Sequence, residues 1–379
     1  MITELKGDKT VFDTSEYNLK IFTDNIEQEA LDQIYDLVRL PQFRGAKIRI
    51  MPDAHAGAGC VIGFTGDLGD KIIPNIVGVD ISCGMLTFEL GKRIIDLPKL
   101  DRFIKSNIPY SYNVYKEKQI EYDGISKMKC YRHLSDVDRL ERSIGTLGGG
   151  NHFIEIDVDE EGSKYLVIHT GSRNLGHQVA NYYQNLAYEK LHEEYHKSPP
   201  IPKDLCYLTD KEREDYLHDM KICAEFARLN RKLIGAKILA HLGVKEEVPS
   251  FETVHNYIDL ESNIIRKGAI SARKGEKVLI PLNMRDGCIV ALGKGNADWN
   301  YSAPHGAGRI LSRRQAKKTL SLEEFKDEMD GIYTTSVSKA TLDEAPMVYK
   351  PMEEIIKNTR DTIEILKIIK PIYNFKAKE

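Results

Sequence analysis

Between residues 24 and 40 the apolar positions recur every three to four residues, with Ile26, Ala30, Leu31, Ile34, Leu37 and Val38 on one face before Pro41. That spacing predicts an amphipathic helix, and Asp24 with Glu27 three positions on reads as the capping box that opens it. From 48 to 90 the texture changes to short apolar runs punctuated by glycine. Val77, Val79 and Ile81 alternate like a strand, and 85–90 reads as another, so this region is β-rich with loops between.

A second glycine-dense stretch, 143–150, precedes Phe153, Ile154 and Ile156 and then Tyr165-Leu-Val-Ile-His-Thr-Gly, which read as successive strands ending in loops. Residues 178–245 carry a helical period instead. Their second helix is opened by Thr209 with Glu212 as a capping box, runs through Leu217, Met220, Ala224, Ala227 and Ile234, and stops at Gly243. Strands return at 277–281 and 289–292, and 352–369 reads as a last helix leading into Pro371-Ile-Tyr-Asn-Phe-Lys. With no repeat, low-complexity tract or flexible linker, the pattern predicts one α+β domain over 1–379 with a helical insertion at about 178–245.

Composition narrows the class. The 379 residues hold 54 Lys and Arg against 57 Asp and Glu, a formal charge of -3, with 41% hydrophobic residues. Such a chain can bury a large core and is not disordered. The near-neutral balance gives no global signature of a nucleic-acid binder, so any such site is local. No run of about 18 apolar residues and no signal-like N-terminus is present, which makes the cytoplasm the expected location, with no membrane partner. The six cysteines are scattered singly, without a CxxC pair, and read as free thiols.

Histidine carries the chemical signal. Five of the eleven lie beside glycine, asparagine or aspartate in turn-like settings: His55, His152, His169, His255 and His305. One such residue is unremarkable as a surface or capping histidine; five in one context point to binding. Asp80-Ile-Ser-Cys83 places a carboxylate and a thiol three positions apart, and imidazole, thiolate and carboxylate together suit Zn, Mn, Fe or Co. Gly145-Thr-Leu-Gly-Gly-Gly-Asn, Gly171-Ser-Arg173-Asn and His305-Gly-Ala-Gly-Arg309, followed by Ser312-Arg-Arg, offer unobstructed backbone N–H groups and guanidinium forks for phosphate. No Walker loop or dinucleotide-binding fingerprint accompanies them.

Met51-Pro-Asp-Ala-His-Ala-Gly, Val77-Gly-Val-Asp-Ile-Ser-Cys-Gly-Met, Gly145-Thr-Leu-Gly-Gly-Gly-Asn-His-Phe-Ile-Glu, His169-Thr-Gly-Ser-Arg, Arg266-Lys-Gly-Ala and His305-Gly-Ala-Gly-Arg-Ile-Leu-Ser-Arg follow one another in the chain. Together they resemble the RtcB family of RNA ligases, from residue 51 to the C-terminus. The resemblance implies β-sheets around a metal-lined cleft. It also implies joining of RNA 2',3'-cyclic phosphate or 3'-phosphate ends to 5'-hydroxyl ends, with GTP and two Mn2+, in RNA repair or tRNA splicing. By position it makes Asp80, Cys83, His152, His169 and His255 the metal ligands, with Cys83 bridging, and His305 the residue that becomes guanylylated. Asn151, Glu155, Cys288, Gly306, Ala307, Gly308, Tyr349 and Lys376 fall at the guanosine pocket, and Arg173 and Arg309 in segments that face phosphate.

One segment departs from the family pattern. Where many members have Pro-Gly-Ser-Met-Gly, this chain has Pro281-Leu-Asn-Met-Arg-Asp-Gly287, and Cys288 stands where a pocket serine is frequent. The chain is also compact for the family, which suggests a paralogue serving RNA repair. The partners implied are RNA, GTP and an accessory protein such as archease or a release-factor homologue. The rival readings are a metal-dependent RNA phosphodiesterase or nuclease, and a non-catalytic RNA-binding paralogue.

Overall fold

The computed structural model describes residues 4–6, 11–13, 17–67, 69–195 and 201–377. Its largest element is an eight-stranded sheet. In spatial order it runs Lys277–Asn283, Gly287–Gly293, Ile363–Lys376, Phe153–Val158, Lys164–Thr170, Gly84–Gly91 and Ser250–Val254, all antiparallel, and Tyr333–Thr334 pairs in parallel with Ile363–Lys376. The first and last strands of that order meet, because the main-chain N–H of Leu279 donates to Thr253 Oγ1 at 2.9 Å. The sheet therefore nearly closes on itself.

Alternation then sorts side chains inside and outside the closed sheet. Met85, Phe153, Val167, Leu279, Val290 and Ile369 fill the interior. Ile154, Ile156, Leu166 and Ile168 point outward and are covered by Ile234 and Ile238 of helix Asp210–His241 and by Leu100 and Ile104 of helix Leu97–Asn107. Each of these buried isoleucines and leucines contributes roughly 2 kcal/mol. The long helix comes close to the sheet because residue 235 is glycine: a Cβ there would lie 2.5 Å from the Phe88 ring.

A second sheet, in the order Tyr257–Asp259, Ile264–Lys267, Ile62–Gly66, Ile48–His55 and Leu19–Ile21, stands beside one end of the first. Helix Gln28–Val38 seals it with Ala30, Ile34, Leu37 and Val38. Helices Arg173–Tyr195 and Asp210–His241 form the helical block expected near 178–245, beginning five residues earlier than the hydrophobic period indicates. All six cysteines are free and buried, and no helix among the described residues is long and apolar enough to cross a membrane.

Four local expectations are corrected. Residues 352–369 are not one helix: Met352–Thr359 is helical and Ile363–Lys376 is a strand. The run of isoleucines there is β-branched, and strands on both sides hold it extended; Pro371 is accommodated where the register shifts between 371 and 373. The Val77–Ile81 alternation is not a strand. Pro74 opens a short helix, Pro74–Val77, and Gly78 ends it at φ +94°. The first helix starts at Gln28, because the Glu27 carboxylate leaves the helix and accepts from the Ala56 N–H at 2.8 Å. Thr209 does occupy the N-cap of the long helix, but its hydroxyl makes no cap bond and Glu212 pairs with Lys190 at 3.4 Å.

Candidate active site

The open end of the closed sheet and the second sheet bound a cleft of about 710 Å³. Strand-end turns deliver the candidate ligands to it. Asp80 and Cys83 flank Ser82, a non-glycine residue at φ +55°, a strained turn of the kind that costs roughly 1–3 kcal/mol and persists where its surroundings impose it. Cys83 Sγ lies 3.4 Å from His152 Nε2 and 3.2 Å from His169 Nε2, and His152 Nε2 lies 2.9 Å from Asp80 Oδ2. The His255 ring stands 5.3 Å from that of His169.

Donor atoms fall into two groups, Asp80–Cys83–His152 and Cys83–His169–His255, each with its members within 4.8 Å of one another. Cys83 is common to both. The histidine rings are oriented from behind: His152 Nδ1 meets the carbonyl of Leu147 at 2.9 Å and His169 Nδ1 that of Asn151 at 3.3 Å. With Nδ1–H donated to a carbonyl, each ring would offer the lone pair of Nε2 to a bound cation, the arrangement metal-ligating histidines adopt.

Electrostatics fit a cation. Burial, reinforced by the neighbouring His152, Lys376 and His305, pushes His169 well below the usual histidine range, and burial with His305 and His169 does the same to His255, so both are neutral donors. Burial opposes ionisation of Asp80, but the hydrogen bond with His152 and the charge of Arg173 outweigh it and hold the carboxyl at about 2. Burial and the Asp80 charge push the Cys83 thiol well up. The buried His255 Nδ1 has no hydrogen-bond partner. Neutral imidazoles, an ionised carboxylate, a shared thiol and an orphaned ring nitrogen are donors compatible with divalent metal binding.

His305 stands beside this cluster, its ring 4.9 Å from that of His255. Its Nδ1 lies 2.6 Å from Asp53 Oδ2, and that oxygen also accepts the main-chain N–H groups of His305 at 3.0 Å and Gly306 at 3.2 Å. Gly308 permits this approach: at φ +76°, a Cβ there would sit 2.4 Å from the Asp53 carbonyl oxygen. Another part of the cleft wall is ionic. Lys376 Nζ and Arg309 both pair with Glu344, Tyr349 Oη donates to the same carboxylate at 2.7 Å, and Arg309 lies 5.3 Å over the Tyr349 ring. Glu155 accepts from Asn374, and burial pushes its carboxyl up to about 7 against the pull of Asn374 and Lys376.

Of the residues marked in the sequence, Asp80, Cys83, Asn151, Glu155, His169, His255, His305, Gly306, Ala307, Gly308, Arg309, Tyr349 and Lys376 all line this one cleft. His152 is behind it, bonded to Asp80 and Cys83. Arg173 is also behind, with Nη1 3.4 Å from His152 Nδ1 and Nε reaching Thr146 Oγ1 at 3.3 Å. Cys288 is placed differently from expectation: it lies fully buried inside the closed sheet with Glu155 and Asp157, not on the cleft wall. Asn283 and Met284 of the departing turn do reach the cleft. Sequence reasoning missed Asp53 and Lys267. Asp53 was visible two positions before His55, and Lys267, which donates to the carbonyls of Ala58 at 2.8 Å and Asn75 at 3.1 Å, was visible in Arg266-Lys-Gly-Ala.

The fold and site define a nearly closed sheet with, at its mouth, a cluster of histidines sharing one thiol and a further histidine, His305, beside it. Comparison with known proteins gives that class its family. The family profile described as "tRNA-splicing ligase RtcB" matches residues 33–128 and 111–377. The chain is 30% identical to the RNA-splicing ligase RtcB of Escherichia coli K12, over 92% of this chain and 94% of that protein. It is 27% identical to the tRNA-splicing ligase RtcB of Nanoarchaeum equitans, over 90% of each. The chain belongs to the RtcB family.

Proposed function

We propose that this protein is an RNA ligase that uses GTP and two Mn2+ to join RNA 3'-phosphate or 2',3'-cyclic phosphate ends to 5'-hydroxyl ends through a histidine–GMP intermediate. One observation carries the reading: His305 has Nδ1 committed to Asp53 while its ring borders the double ligand cluster built on Cys83. A histidine so held presents Nε2 as a lone-pair donor, which is what a nucleophile toward phosphorus requires.

Asp80, Cys83 and His152 would hold one cation and Cys83, His169 and His255 the other. Bound there, the metals would supply charge neutralisation at the transferring phosphoryl group. His305 Nε2 forms a bond to the α-phosphorus of GTP as the bond to pyrophosphate breaks. Water opens a cyclic phosphate where one is present, and the RNA 3'-phosphate oxygen then displaces His305 from the guanylate. Finally the 5'-hydroxyl of the second strand attacks the activated 3'-phosphorus, loses its proton and releases GMP. Glu155, Asn151, Tyr349 and Lys376 would line the nucleotide end, and Arg309 would meet phosphate once drawn from Glu344. Archease or a release-factor homologue would act as an accessory partner in RNA repair or tRNA processing in the cytoplasm.

Two RNA strands, one ending in 3'-phosphate and the other starting with 5'-hydroxyl, test the proposal. A joined product that needs both Mn2+ and GTP supports it. Metal-dependent cleavage without joining would instead favour a phosphodiesterase.

A further inference from the structure

Two adjacent residues of helix Asp210–His241, Asn230 and Arg231, are fully buried behind the ligand cluster. Neither lines the cleft. Asn230 Oδ1 accepts the main-chain N–H groups of Gly145 at 2.7 Å and Thr146 at 2.9 Å, and its Nδ2 donates to the Gly171 carbonyl at 3.1 Å and Thr170 Oγ1 at 3.3 Å. Arg231 Nη1 donates to the carbonyls of Ser82 at 2.9 Å and Thr170 at 3.0 Å, while its Nε reaches Glu252 Oε1 at 3.2 Å.

Several of these partners stand close to a candidate ligand in the chain. Ser82 precedes Cys83, Thr170 follows His169, and Glu252 lies on the strand that ends next to His255. Thr170 Oγ1 donates to the Leu147 carbonyl at 2.8 Å, the oxygen that also meets His152 Nδ1. One helical turn thus fastens the segments carrying Cys83, His152, His169 and His255, and one of them is the left-handed turn at Ser82. A buried guanidinium is suited to this, since its planar fork donates in several fixed directions at once.

We infer that Asn230 and Arg231 are positioning residues for the metal centre, setting the separations among its ligands from behind without touching a metal, nucleotide or RNA. The inference rests on the proposed reading that this cluster binds Mn2+. Outer partners of this kind typically tune metal affinity by about 10–100-fold.

The test compares the wild-type protein with Arg231→Met, Arg231→Lys, Asn230→Ala and a control, Ile238→Ala. Ile238 is on the same helix and buried, but packs only in the apolar layer over the sheet. Mn2+ binding is measured directly by electron paramagnetic resonance of the free ion, and GMP attachment is followed as a function of Mn2+ concentration. Arg231→Met and Asn230→Ala should raise the half-saturating Mn2+ concentration on the order of 10-fold or more, with GMP attachment recovering at high metal. Arg231→Lys, which keeps one donor, should fall between. Ile238→Ala should melt earlier at an unchanged half-saturation. A merely structural role would lower the plateau in all variants and leave half-saturation where it is, and that result would overturn the inference. Should Arg231→Met fail to fold, an unchanged Mn2+ affinity in Arg231→Lys and Asn230→Ala would overturn it equally. If the wild-type protein itself binds no Mn2+, the metal reading fails and the inference falls with it.

Discussion

Asp53 Oδ2 lies 2.6 Å from His305 Nδ1 and simultaneously accepts the main-chain N–H groups of residues 305 and 306. One carboxylate therefore fixes both the ring and the backbone of the proposed nucleophile. Asp53→Asn retains the shape but no longer stabilises the cation that forms on the ring, nor selects its tautomer. It should slow GMP attachment on the order of 10²-fold while leaving Mn2+ binding intact. Single-turnover kinetics with measured metal content decide; an unimpaired rate would show that the contact is only structural.

Cys83 is the one donor that belongs to both ligand groups. Cys83→Ala should strip manganese and abolish GMP attachment together, since one missing thiolate weakens two sites. Cys130→Ala and Cys206→Ala, buried elsewhere, should keep their activity and lose about 1 kcal/mol of stability. Elemental analysis beside the labelling assay separates these outcomes. Full metal in Cys83→Ala would refute the bridging role.

Glu344 gives a pH signature. Burial alone would raise its pKa, but the charges of Lys376, Arg313 and Arg309 hold it at about 2. With an unfolded value of about 4.3, the depressed group contributes roughly 3 kcal/mol of stability above pH 5. That contribution is lost as the pH falls through about 2. Denaturant unfolding of Glu344→Gln should therefore show a deficit that is large at pH 6 and shrinks toward pH 2. A deficit constant across that range would mean that the carboxylate's charge is not what counts.

The departing turn is a built structure. Asn283 Oδ1 accepts the N–H groups of Arg285 at 2.9 Å and Asp286 at 2.8 Å, and the Arg285 side chain pairs with Glu328 and Asp286 outside. Because Asn283 and Met284 reach the cleft, the double change Asn283→Ser, Arg285→Gly should alter half-saturating GTP or the preference between cyclic and linear 3'-phosphate ends, without loss of metal. Unchanged kinetics on both counts would make the turn neutral.

Much of this was legible in the chain. The glycine-bounded histidines lie at strand ends because each strand of the large sheet stops where its alternation stops, so local pattern locates them. Their convergence was not visible: the strand that follows Cys83, Gly84–Gly91, comes earliest in the chain yet lies between the strand that carries His169 and the strand that ends beside His255. Residues 363–369 read as helix because their isoleucines also satisfy a spacing of three to four, and only pairing with the distant strand Gly287–Gly293 makes them extended. Asn230 and Arg231 are polar positions on an otherwise ordinary helix, and nothing local marks them as buried.

The most direct measurement of the central claim is covalent labelling by α-phosphate-labelled GTP with Mn2+, read on a denaturing gel, for the wild-type protein and His305→Ala. A phosphoramidate predicts an acid-labile, base-stable labelled band in the wild type. His305→Ala should show no band, bind manganese normally, and still join RNA supplied with a 3'-guanylate already attached. A band that persists in His305→Ala, or its absence from an otherwise active wild-type protein, would contradict the histidine–GMP mechanism.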